Sequence, residues 1–307
     1  MTAAGIDVGG TKCLGVVLAP DGSIARMERR PTRYDNDGLV NVLAELAQDL
    51  GDWDTLGVGV AGLVTREGTV RASPNLGTVS ELRVGERLTQ RLDRPVVVDN
   101  DATCATVAEW RVGAARGAED ALLVAFGTGI GGGIVAQGQL VRGRNGFAGE
   151  IGHMVVQPGG PQCVCGRRGC WERYASGAGL ARWANETEAS TEIRRALGRG
   201  DDGRLRGEDV MAAARKGDRV AMAIVDTFCR WAALGMANLT NALDPEIIVV
   251  GGGLADAADL IMGPIRRWFG ELIYAPDQRP HPQLVAAELG PQAAAIGAAL
   301  LGAEIVI

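Results

Sequence analysis

The chain has 307 residues, of which 47% are apolar, 22% charged and 4% aromatic, with 45 glycines. This is ordinary globular usage; it excludes disorder, collagen and coiled coil, and the length suits about two domains of roughly 150 residues. Lys and Arg number 31 against 37 Asp and Glu, a net charge of −6, which without a basic block argues against nucleic acid as the main partner and leaves small anionic ligands open.

The first twelve residues lack the basic and apolar regions of a secretory leader, and no uninterrupted run of 18 apolar residues occurs, so neither export nor a membrane span is expected. Three of the six cysteines, Cys163, Cys165 and Cys170, crowd into eight positions. That spacing reads as metal binding in a reducing compartment, the cytoplasm, rather than as a disulfide framework.

In chain order, Gly5–Val8 and Cys13–Leu18 are apolar runs joined by Gly9-Gly10-Thr11-Lys12, the pattern of a hairpin. A turn at Pro20-Asp21-Gly22 leads to a third strand near Ser23–Arg30. Leu39, Val42, Leu43, Leu46 and Leu50 recur at helical spacing. Thr55–Ala61 and Arg94–Val98 read as buried strands, and Ala102–Trp110 as a helix. Ala121–Phe126 is a strand that meets Gly127-Thr128-Gly129-Ile130-Gly131-Gly132-Gly133 and continues into a second strand, Ile134–Ala136, so the opening device is repeated. Asn185–Asp218 is a polar helical excursion with a glycine-rich joint at 198–203. Ala221–Leu243 is a long apolar helix, Glu246–Val250 a buried strand ending in Gly251-Gly252-Gly253, and Gln292–Leu301 an Ala-rich helix.

Several of these segments suit particular chemistry. The two glycines of Asp7-x-Gly9-Gly10-Thr11-Lys12 let backbone N–H groups face a phosphate, Thr11 adds a hydroxyl and Lys12 a charge. Asp7, at the strand end, suits Mg²⁺. Gly127-x-Gly129-x-x-Gly132 matches the dinucleotide fingerprint, but that fingerprint requires a following helix, and a strand follows here. A second phosphate-binding hairpin fits better than NAD. Asp99-Asn100-Asp101 stands where a buried strand opens a helix, a position suited to a general base or to an N-cap. Glu150-Ile151-Gly152-His153 precedes Cys163-x-Cys165-Gly166-x-x-Gly169-Cys170-x-Glu172. His153 with the three cysteines is the ligand type of a closed structural Zn²⁺ site, which would aim the flanking Glu150 and Glu172. Trp171 reads equally as core. Cys13, Cys104 and Cys229, in apolar runs, read as packing thiols.

Taken together, and in this order along the chain, these motifs resemble the ROK family of sugar kinases and repressors, and within it the bacterial ATP-dependent glucokinases; Tyr174-Ala175-Ser176-Gly177 adds to the likeness. The resemblance implies a two-domain α/β fold of the actin/hexokinase (ribonuclease H-like) type with a sugar and ATP cleft between domains. A small domain would span 1–114, with a C-terminal helix of about 291–307 packing back onto it. A large domain would span 115–290 with a zinc-binding loop at 153–170. The activity implied is phosphorylation of glucose at its 6-hydroxyl. Asp101 would be the base, and Asn100, Glu150, His153 and Glu172 would bind sugar hydroxyls, joined by Asn75 and Gly62. His153 would hold zinc through its other nitrogen, together with Cys163, Cys165 and Cys170. Gly9, Gly10, Thr11 and Lys12, with Gly127, Thr128, Gly129 and Gly131, would hold phosphates, Gly251, Gly252 and Gly253 the adenosine, and Asp7 the Mg²⁺.

The family often carries an aromatic residue after the segment 74–77; here Thr78-Val79-Ser80 follows. Alternatives within the family are a kinase for mannose, fructose, allose or an N-acetyl amino sugar, a polyphosphate-using glucokinase, and a repressor relative without its DNA-binding helix-turn-helix. The expected partners are a small sugar and a nucleotide, with no nucleic acid and no membrane, in a homodimer or tetramer.

Overall fold

The computed structural model describes residues 2–73, 76–186, 189–198 and 203–304. The first elements are β1 (Ala3–Val8), β2 (Lys12–Leu18), β3 (Ile24–Pro31), α1 (Asn36–Asp49), β4 (Thr55–Val60), β5 (Leu63–Val64), β6 (Thr69–Ala72), β7 (Ser80–Arg83), α2 (Val84–Leu92), β8 (Val96–Asn100) and α3 (Asp101–Val112). They are followed by β9 (Ala121–Phe126), β10 (Ile130–Ala136), β11 (Gln139–Leu140), α4 (Gly177–Glu186), α5 (Ala189–Leu197), α6 (Gly207–Arg215) and α7 (Arg219–Leu243). The chain closes with β12 (Ile247–Gly251), α8 (Ala258–Leu272), β13 (Gln283–Ala286) and α9 (Ala293–Ala303). The chain divides into two compact units, Met1–Leu123 with Gly132–Gly149 and Pro291–Ile307, and Val124–Gly131 with Glu150–Gly290.

In the first unit the sheet order is β3-β2-β1-β4-β8. β1 and β2 pair antiparallel through the Gly9-Gly10 turn, with Asp7 opposite Leu14 and Val8 opposite Cys13. β4 and β8 continue the sheet in parallel, with Gly59 opposite Asp99 and Val60 opposite Asn100. All six residues of β4 are buried, as a strand covered on both faces requires. One covering layer is α1, which starts at Asn36 because the Asp35 side chain accepts the Gly38 N–H at 2.7 Å; Leu39, Leu43 and Leu46 are completely buried. Another is α9, which packs against β1, β4 and α3. The approach is close: a β-carbon at Gly57 would collide with the Ala298 carbonyl, so the helix backbone lies directly on the strand.

The second sheet has the order β11-β10-β9-β12-β13, and the division between the units passes through its β9–β10 hairpin. In the second unit β12 and β13 run parallel, with Ile247 opposite Gln283. The core helix is α7, capped by the Asp218 side chain, which accepts the Ala221 N–H at 2.8 Å. By length and composition α7 could cross a membrane. It carries Asp226 and Arg230, and it packs against α8, α6 and α4 with Ile224, Phe228, Ala232 and Met236 buried. Phe126 of β9 meets Trp171 and Phe228 edge-on, at centroid separations of 5.9 and 5.6 Å. Trp171 is completely buried against Gly235 of α7, so it belongs to the core.

Candidate active site

In the first unit, the turn after β1 leaves Gly10, Thr11 and Lys12 exposed, and Gly9 N–H donates to the Lys12 carbonyl at 3.1 Å. The segment after β3 straps this turn from behind. The Thr32 hydroxyl donates to the Gly9 carbonyl at 2.7 Å, Tyr34 Oη to the Gly10 carbonyl at 2.9 Å, and Thr32 N–H to the Thr11 carbonyl at 3.1 Å. The strap thus engages the carbonyls of Gly9, Gly10 and Thr11. Asp7, one residue before the strand end, has its carboxyl raised from 3.8 to about 7, by burial first and then by the negative charge of Asp101, against a smaller opposing effect of Lys12.

At the end of β8, Asn100 is the N-cap of α3. Its Oδ1 accepts the Thr103 N–H at 3.0 Å and its Nδ2 donates to the Gly62 carbonyl at 3.0 Å. Gly62 stands at φ +120° against the Ala72 carbonyl, where a side chain has neither conformation nor space. Asn100 therefore performs the capping, and Asp101 does not. Asp101 Oδ1 accepts the Ala102 N–H at 2.9 Å. Burial raises the Asp101 carboxyl above its usual range, more than its backbone hydrogen bonds lower it.

In the second unit, Glu150 precedes a short 3-10 helix, Ile151–His153, and Glu172 lies in another, Trp171–Arg173. The second is anchored by Trp171, whose Nε1 donates to the Trp231 carbonyl at 2.7 Å. His153 faces two ways: Nδ1 lies 3.7 Å from Cys163 Sγ and 4.0 Å from Glu172 Oε1, while Nε2 lies 3.9 Å from Glu150 Oε2. Cys163 Sγ donates to Glu172 Oε1 at 2.9 Å, and the Cys165 and Cys170 sulfurs are 3.6 Å apart. The ligand atoms of His153, Cys163, Cys165 and Cys170 all lie within 4.8 Å of one another. A tetrahedral ion with bonds of about 2.3 Å to sulfur separates its ligands by about 3.8 Å, so the 3.6 and 3.7 Å separations fit one such ion. Gly166 and Gly169, at φ +87° and +80°, wrap the loop around this set.

The turn between β9 and β10 is tied down by α4: Gly177 N–H donates to the Gly127 carbonyl at 2.8 Å, and Ala178 N–H to that of Thr128 at 3.3 Å. Gly131 is the second residue of β10. After β12, Gly252 stands at φ +81° over the Phe126 carbonyl, and Gly253 has open space around it.

The sequence-derived residues thus fall into two groups. One, with Asp7, Gly9–Lys12, Gly62, Asn100 and Asp101, lies in the first unit; the other, with Gly127–Gly131, Glu150, His153, the cysteines, Glu172 and Gly251–Gly253, lies in the second. Asn75 lies outside the described residues. Cys13, Cys104 and Cys229 are completely buried, with thiols raised above their usual range by burial, Cys13 to about 11. Sequence reasoning missed the Tyr34 strap and an ion pair between Asp99 and Arg142, with Nε 2.7 Å from Oδ2. Both join segments too far apart in sequence for any local pattern to pair them.

The ROK family profile matches residues 3–305. A glucokinase of Streptomyces coelicolor is 37% identical over 308 residues, covering 98% of this chain and 97% of its own length. A glucokinase of Halalkalibacterium halodurans is 38% identical over 278 residues, covering 86% and 84%. The crystal structure of a ROK family glucokinase from Streptomyces griseus in complex with glucose and AMPPNP superposes with a TM-score of 0.90 at 38% identity, covering 99% of this chain and 100% of that one. The fold is the two-domain actin-like fold of these sugar kinases. Matched along nearly its whole length, the chain belongs to the ROK family.

Proposed function

We propose that this chain transfers the γ-phosphoryl group of ATP to the 6-hydroxyl of glucose in the cytoplasm. The observation that carries the reading is the end of β8. There Asn100 takes the capping duty and leaves beside it a carboxylate, Asp101, whose affinity for protons is raised by burial. The likeness to the Streptomyces griseus glucokinase, whose structure holds glucose and AMPPNP, supports the same reading.

Asp101 accepts the sugar hydroxyl proton at Oδ2, since Oδ1 is engaged by Ala102 N–H. The sugar oxygen then bonds to the γ-phosphorus, the bond from phosphorus to the β–γ bridging oxygen breaks, and ADP leaves. Positioning and charge neutralisation supply most of the catalysis in such a transfer. Asn100 Nδ2 has a second hydrogen for a sugar hydroxyl, and Gly62 holds that amide in place. Glu150 and Glu172 accept hydrogens from other hydroxyls, and His153 presents Nε2 on the side of Glu150. The turns Gly9–Lys12 and Gly127–Gly129 hold phosphates through N–H groups other than those of Gly9 and Gly127, which donate within the turns to the Lys12 and Gly129 carbonyls, and Gly251–Gly253 lie against the nucleoside.

Asp7 would hold Mg²⁺, which when bound neutralises phosphate charge. Cys163, Cys165, Cys170 and His153 Nδ1 would hold a structural Zn²⁺, whose four protein ligands leave no open position for catalysis. The test is a coupled assay of ADP formation over glucose, mannose, fructose and N-acetylmannosamine, with polyphosphate tried in place of ATP. Glucose with ATP should give the highest kcat/KM; absence of phosphorylation with every hexose would reject the reading.

A further inference from the structure

Gly129 is a glycine for a reason that its turn does not supply. Its φ is not positive, so no left-handed conformation demands a glycine there. A β-carbon there, however, would lie 2.6 Å from Glu172 Oε2 and 3.6 Å from Glu172 Cδ. Gly127, two residues earlier in the same turn, would meet nothing within 4 Å. The restriction at 129 is therefore imposed by one carboxylate.

That carboxylate has little freedom to withdraw. Its side chain is only 12% exposed, and Oε1 abuts the Cys163 sulfur at 2.9 Å. Its own carbonyl accepts the Ser176 hydroxyl at 2.5 Å. The buried indole of Trp171 pins the short helix that carries it. The turn is fixed to the same stretch of chain through Gly177 and Ala178. Glu172 is thus wedged between the Cys163 sulfur on one side and the bare α-carbon of Gly129 on the other.

We infer that Gly129 is a positioning residue for the sugar: the space left by its missing side chain is where the Glu172 carboxylate is held. This rests on the reading of Glu172 as a sugar ligand. A residue that sequence pattern assigns to the phosphates then acts on the acceptor as well.

The experiment compares wild type, Gly129→Ala, Glu172→Asp and the double variant Gly129→Ala/Glu172→Asp. Displacing a binding group by an ångström-scale step costs about 10-fold or more, so Gly129→Ala should raise the glucose KM by that factor while changing the ATP KM far less. Because Asp is one methylene shorter, Gly129→Ala should have little further effect on the glucose KM once position 172 is Asp. A Gly129→Ala variant that raises the ATP KM and spares the glucose KM overturns the inference, as does full additivity in the double variant. Crystal structures of wild type and Gly129→Ala give a readout independent of turnover. The carboxylate of Glu172 should be displaced in the variant, and an unmoved carboxylate overturns the inference even if the wild type proves to phosphorylate no hexose.

Discussion

Arg142 donates through Nε to Oδ2 of Asp99 at 2.7 Å, and the other oxygen of Asp99 accepts the N–H of Asn100 at 2.8 Å. The pair ties the segment after β11 to the strand end that carries Asn100 and Asp101. Asp99 is nearly buried, its side chain 8% exposed, so removing its partner leaves a charge with little solvent. Arg142→Gln should lower unfolding free energy by about 3 kcal/mol and slow turnover. Denaturant unfolding and steady-state kinetics check both, and Asp99→Asn in the same chain should recover part of the stability, because the stranded charge is gone.

Asp101→Asn removes the proton acceptor without changing the shape of the site. Turnover should fall by about 10² to 10⁴-fold, while glucose affinity, measured by calorimetry, stays within a few-fold of wild type. Turnover at the wild-type level would reject Asp101 as the base.

Asp7 gives stability a particular dependence on pH. Its folded pKa is raised from 3.8 to about 7, so between these values the folded state binds more protons than the unfolded one. Its contribution to stability is full below about pH 4 and is lost as pH rises through about 7. Asp7→Asn should therefore flatten the fall of the melting temperature from pH 4 to pH 7 in protein kept free of divalent cations. An unchanged slope would show that Asp7 is not the group responsible.

Cys165→Ser removes one donor from the set around His153. Zinc content, measured by atomic emission on the purified protein, should fall well below one per chain. The melting temperature should fall with it, since metal binding contributes to folding free energy. Wild-type zinc content in the variant would dismiss this ligand set.

At Gly62, φ +120° and the nearby Ala72 carbonyl exclude a β-carbon. Gly62→Ala should destabilise by more than about 1 kcal/mol and weaken glucose binding by releasing the Asn100 amide. Unfolding curves and glucose titration read the two effects separately.

The parts of this molecule that the sequence discloses are those written in local chemistry. The Gly9-Gly10 hairpin follows from two apolar runs and a glycine pair, and Ile134-Val135-Ala136 discloses the far half of β10, which begins already at Ile130 within the glycine run, so a strand stands where the dinucleotide fingerprint requires a helix. The cysteine cluster and His153 are recognisable from spacing alone, and the structure brings them within 4.8 Å. α2 has no such signal, because its N-cap is Arg83, which makes no side-chain cap bond. In α8, Gly263 and Pro264 interrupt a helical pattern that packing against α7 sustains. β13 is four residues long and is defined by its pairing with β12. Pairings such as Asp99 with Arg142, 43 residues apart, or Glu172 with Gly129, are set by the fold and leave no periodic trace.

The contact of α9 with β1 and β4 orders events in time. β1 and β4 leave the ribosome long before the helix that covers them, because α9 lies far behind them in chain order. Until Ala293–Ala303 have been synthesised, the face of β1 and β4 that receives them has no native cover. Vectorial synthesis therefore leaves this sheet without its cover while the residues between β4 and α9 are made. A ribosome stalled short of residue 293 would carry an exposed apolar sheet, the kind of surface that recruits a holdase chaperone.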